Sequence, residues 1–155
     1  MREKLWNLLD KTRFEYNYFQ EYHRRLLAVR FTLKSVEGIV LVVLVGGFAD
    51  IFYIPIFGQM MALLLGVLAV IYEQSMLNQK LVIFDYFLPE LAAHLRKLQS
   101  DWHSINYLYE YDDRAIAEMI AEYSDKIELL MEKYTDKLYI PKSKKLIEKA
   151  STVTA

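Results

Sequence analysis

An all-α membrane protein is the fold class this sequence predicts: a two-helix transmembrane hairpin, preceded by an N-terminal amphipathic helix and followed by a C-terminal cytoplasmic helical hairpin. Three observations lead there. Charge is segregated, because the chain holds 19 basic and 20 acidic residues and yet Asp50 is the only one between Gly38 and Tyr72. The apolar passage from Phe31 to Tyr72 is about twice the length of the ~20 helical residues that cross a hydrocarbon core. Both flanks repeat apolar residues at steps of three and four, the period of helices that bury one face.

The totals narrow the class further. At 155 residues the chain has room for one domain. A net charge of −1 gives none of the basic excess that a nucleic-acid polymer would require as a partner. There is no cysteine, which excludes disulfides and thiolate metal sites. The first thirty residues are polar and aromatic, unlike a cleaved signal peptide, so membrane insertion is expected to use the internal segment.

Four segments follow in order. Residues 1–30 form an N-terminal amphipathic or cytoplasmic helix, with Leu5, Leu9, Tyr16, Phe19 and Leu26 at helical spacing and Leu33 continuing the series. With Trp6, Tyr18, Tyr22 and the Arg24–Arg25 pair, this helix suits a membrane surface; packing against the C-terminal helices suits it equally. Residues 31–72 form the hairpin, divided at "GGFADIFYIPIFGQM" into Phe31 to Ala49 and Tyr53 to Tyr72. Gly46, Gly47 and Asp50 can end the first span, and Pro55 suits the first turn of the second. Asp50 and Gln59 have three readings: a turn at the membrane surface, the lining of a pore, or a kink in a buried soluble helix. Lys34 and Glu37, three apart, can pair at the membrane border. Gly66 is the candidate for close packing between spans. Arg24, Arg25, Arg30, Lys34 and Lys80 flank the spans and the connection has no basic residue, so both termini are expected in the cytoplasm.

Residues 73–138 form the cytoplasmic helical region. The second span is expected to continue as helix through "EQSMLNQKLVIFDYFL" and to end or bend at Pro89, which has no backbone N–H. Leu91, Leu95, Leu98, Trp102, Ile105 and Tyr109 mark one seam; Ile116, Ile120, Tyr123, Ile127, Leu130, Tyr134 and Leu138 mark another. Asp112 and Asp113 between them are good starters for the second helix. Trp102 on its seam reads most simply as a core anchor, and Trp102, Tyr109 and Tyr123, with the spare tyrosines Tyr107, Tyr111 and Tyr134, are candidates for packing or for contacts between copies in a homo-oligomer. Residues 139–155, lysine-rich and then small and polar, are expected to form a flexible tail or a loose anchor to anionic lipid.

No residue pattern points to an enzyme or a cofactor. There is no nucleophile elbow, phosphate-binding glycine loop or metal-ligand cluster. Glu90 and His94 share a helix face and His103 lies beyond them, which falls short of the three or four ligands a helical metal site uses. Arg96, Lys97 and Arg114 are candidate contacts for an anion or ligand stacked on Trp102.

The aromatic and basic "YHRRLLAVRF", two spans with a very short link, and the helical tail with "ELAAHLRKLQSDWHSI" together resemble the SLATT (SMODS and SLOG-associating) group of two-transmembrane bacterial defence effectors over about residues 15 to 135. That resemblance implies a homo-oligomeric protein of the bacterial inner membrane that compromises the bilayer during phage infection. It also implies control by a nucleotide second messenger or a nucleotide-generating partner protein. Larger members carry a fused sensor domain, and none is expected in this chain. A membrane-anchored adaptor or scaffold, and a holin-like lysis protein, are the competing expectations.

Overall fold

A computed structural model describes residues 1–45, 55–74, 76–107 and 112–135, together with residues 138, 147, 150 and 151. Among the described residues the secondary structure is helical and there is no strand. The elements are α1 (Arg2–Val45), α2 (Pro55–Gln74), α3 (Leu77–Tyr107) and α4 (Asp113–Thr135). They divide into two compact units, one made of Met1–His23 with Val82–Ala155 and the other of Arg24–Leu81.

Three helical boundaries differ from expectation, each for a physical reason. Helix α1 does not stop near residue 30; its 44 residues contain no proline, and nothing between Arg30 and Phe31 breaks the backbone ladder. The division between units falls at His23 and Arg24 instead. The helix expected to run on from the second apolar segment is interrupted at Met76, which adopts φ 46°, a left-handed conformation that stops an α-helix. Of the two outcomes expected at Pro89, an end or a bend, the end does not occur, because α3 runs through it. The fully buried Phe84 and Phe87 before it, and Leu91 and Leu98 after it, hold that segment helical by packing.

In the first unit, the N-terminal half of α1 lies against α3 and α4. Leu5 and Leu9 of α1, Leu95, Leu98 and Ile105 of α3, and Ile116 and Tyr123 of α4 form one buried cluster. A second, aromatic cluster joins Phe19 to Phe87 at 5.0 Å and to Phe84 at 6.3 Å between ring centroids. The N-terminal helix therefore spends its apolar face on protein packing, the second of the two readings its sequence allowed. The start of α4 is capped as its acids suggest, with the Arg114 N–H donating to Asp112 Oδ1 at 3.4 Å and the Ile116 N–H to the Asp112 carbonyl at 3.2 Å.

The second unit contains α2, the later part of α1 and the first turn of α3. Here the apolar side chains are largely uncovered. Phe31 is 75% exposed and Val42 68% exposed on α1, and Leu63 is 71% exposed on α2. Among the described residues one helical stretch, within Met60–Asn106, is long and apolar enough to cross a membrane, judged by length and composition.

Candidate functional site

The second unit holds a pocket of about 420 Å³. Its floor is apolar: Leu33 comes from α1, and Leu65, Leu68 and Ala69 from one side of α2. Residues three, four and seven apart share a helix face, which is why the stripe that begins at Leu65 ends on Tyr72. The mouth is polar, formed by Lys34, Glu37, Tyr72, Asn78 and Gln79.

These polar groups are tied together. Lys34 Nζ donates to Glu37 Oε2 at 2.7 Å, the pair the spacing anticipated. The same ammonium lies 5.0 Å from the centroid of the Tyr72 ring, within range of a cation–π attraction. The Tyr72 hydroxyl donates to Asn78 Oδ1 at 2.5 Å. Between the two residues the helical backbone is interrupted at Met76, after which the Lys80 N–H donates to the Met76 carbonyl at 3.0 Å and α3 begins. Chemically the site presents one cation, one anion, a phenol and two amides above a hydrocarbon floor, an arrangement suited to an amphiphile.

A smaller pocket of about 340 Å³ lies in the first unit, where Leu8, Lys11, Thr12 and Glu15 of α1 meet Ser124, Ile127, Glu128 and Met131 of α4. Thr12 turns its hydroxyl back on the Leu8 carbonyl at 2.7 Å. Burial pushes the Glu15 carboxyl above the ordinary carboxylate range, and Lys11, 3.9 Å away, offsets only part of that.

The structure redistributes the residues singled out from the sequence. Asp50 and Tyr109 lie outside the described residues, and Gln59 belongs to α2 with its side chain outside them. A Cβ added at Gly66 would meet no described atom within 4 Å, so Gly66 is not a site of close helix approach among the described residues. Tyr123 is not a free contact for a second copy: it is buried in the first unit and its hydroxyl donates to Asp101 Oδ2 at 2.5 Å. Burial first, and then that bond, push its phenol well above the usual tyrosine range. Tyr134, another expected spare aromatic, packs on Phe87 at 5.5 Å and donates to Glu90 Oε1 at 3.1 Å. Trp102 packs on the buried cluster and meets Trp6, with ring centroids 5.2 Å apart.

Arg96, Lys97 and Arg114 were the candidate anion contacts. All three are exposed and none lines either pocket. Arg96 Nε donates to the Ala92 carbonyl at 3.4 Å, and Arg114 Nε donates to Glu118 Oε1 at 3.2 Å. Glu90 takes Lys133, at 3.6 Å, as its ion-pair partner, and no group of three or more metal-ligating side chains occurs among the described residues. No sequence pattern marks His23, yet its ring stacks on Phe84 at 5.7 Å, and its buried Nε2 has no hydrogen-bond partner although Asp85 Oδ1 lies 3.5 Å away. The pocket residues Tyr72 and Asn78 were missed as a pair, and their signal was a tyrosine closing an apolar run with an amide six residues on. Compared with protein-family models, with curated proteins and with solved structures, the chain finds no match.

Proposed function

We propose that the protein is a homo-oligomeric effector of the bacterial inner membrane, anchored by a two-span hairpin with both termini in the cytoplasm, that compromises the bilayer in anti-phage defence. One observation carries the membrane part of this reading. Helix α2 is apolar on both sides: Leu65, Leu68 and Ala69 line the pocket, while Met60, Leu63, Leu64, Val67, Val70 and Ile71 form an opposite stripe left exposed by the chain. A helix apolar all round needs a solvent other than water. Its 20 residues, at 1.5 Å each, extend about 30 Å, the thickness of a hydrocarbon core. The neighbourhood of Lys34 and Tyr72, at the start of one apolar segment and the end of the other, supports an antiparallel pair.

The effector part rests on the resemblance to two-span defence proteins, as does control by a nucleotide second messenger or partner protein. In this reading the packed helices of the first unit receive the signal and the spans act on the bilayer. Inducible expression tests both parts. The chain is expected to stay with membranes through alkaline carbonate extraction, and induction is expected to collapse the signal of a membrane-potential dye. Extraction into the soluble fraction would overturn the anchor. Full potential despite abundant inserted protein, with and without phage, would overturn the effector and leave an adaptor.

A further inference from the structure

We propose that the pocket of the second unit is a binding site for the headgroup of a phosphoethanolamine lipid, with the phosphate on Lys34, the ammonium on Glu37 and the acyl chain along Leu33, Leu65 and Leu68. This rests on the membrane reading above. The argument begins with charge. The mouth carries one cation and one anion held 2.7 Å apart, so it offers no net attraction to a purely anionic or purely cationic ligand. It is complementary to a ligand that carries both signs a few ångströms apart.

The pair is also available for exchange. Both side chains are open to solvent, with Lys34 53% and Glu37 42% exposed, and an ion pair of that kind is weakly held. A zwitterion replaces one Lys–carboxylate contact with two, Lys–phosphate and carboxylate–ammonium, and loses no charge pairing in doing so. An ammonium bearing N–H groups donates to Glu37, which a trimethylated headgroup cannot do. The face of the Tyr72 ring already accommodates a cation at 5.0 Å, and its hydroxyl is fixed by Asn78. Below the mouth the floor is hydrocarbon, and about 420 Å³ suits a headgroup with the first part of a chain.

Native mass spectrometry of the full chain, released from a neutral detergent with defined lipids added, gives the test. Phosphatidylethanolamine is expected to be retained about tenfold better than phosphatidylglycerol, the effect of one charge-assisted hydrogen bond. Lys34→Gln and Glu37→Gln should each remove that preference, and Leu68→Trp should remove retention by filling the floor. Equal retention of the two lipids, or unchanged preference in Lys34→Gln and Glu37→Gln, would overturn the proposal. Competition by soluble glycerophosphoethanolamine as strong as that by the lipid would overturn the lipid as occupant. Carbonate extraction separates the two levels: a soluble chain sinks the membrane reading and this site together, whereas an inserted chain without headgroup preference sinks this site alone.

Discussion

Burial raises the pKa of two single ionisable groups, Glu15 and Tyr123, with different consequences for stability. The Glu15 side chain is 24% exposed and its nearest cation is 3.9 Å away, so the folded protein holds its proton more tightly than the unfolded chain does. A raised acid favours folding fully below its unfolded pKa, near 4.5, and that contribution is lost as pH rises through the raised value. Glu15→Gln is therefore expected to flatten the fall in melting temperature above pH 4.5 and to raise it at pH 7 by roughly 2 °C. Thermal melts of the full chain between pH 4 and 8 check this, and a lower melting temperature at pH 7 would contradict it. Tyr123 keeps its proton because burial disfavours the phenolate and because the hydroxyl donates a hydrogen bond to Asp101. Tyr123→Phe preserves the packing but deprives Asp101 of its donor, for an expected loss of about 1.5 kcal/mol in chemical denaturation. An unchanged midpoint would mean that water replaces the phenol without cost.

Among the elements, α3 carries the heaviest structural duty in the first unit, contributing Leu95, Leu98 and Ile105 to one cluster and Phe84 and Phe87 to the other. Leu98 is fully buried, and Leu98→Ala is expected to cost about 3 kcal/mol through lost burial and the cavity left behind. Pro89 lies between the two clusters and leaves the Asp85 carbonyl without its helical donor. Pro89→Ala should restore that bond and stabilise the chain by about 1 kcal/mol, seen as a higher denaturation midpoint at unchanged slope. These helices were legible in the sequence wherever a buried stripe repeats, as at Leu91, Leu95, Leu98 and Ile105 or at Ile116, Tyr123, Ile127 and Leu130. What escaped was decided by tertiary context. Proline at 89 reads locally as a stop, and only the aromatic packing around it keeps the helix going. Met76 reads as an ordinary helix former, and no pattern marks its left-handed backbone. Of the pocket, the Lys34–Glu37 pair was visible because it is local, whereas Tyr72 and Asn78 meet across a turn that the sequence does not announce.

At the scale of the whole molecule the two units differ in what they leave uncovered. Exposed apolar residues of the first unit are scattered, with Leu129 as an isolated case on α4, whereas those of α2 form a stripe. A lysine near the centre of a membrane span costs about 2.5–3.5 kcal/mol, so Leu63→Lys is expected to shift the chain out of the carbonate-resistant membrane fraction. Leu129→Lys, equally drastic in chemistry, should leave fractionation unchanged; loss in both variants would point to general misfolding. The contact between Trp6 and Trp102 has a practical corollary. The chain contains two tryptophans and they are each other's neighbours across α1 and α3, so every photon of indole emission originates from one junction. Separation of those two helices can thus be followed by ultraviolet spectroscopy in a lipid suspension, without a dye, a tag or a reporter fusion.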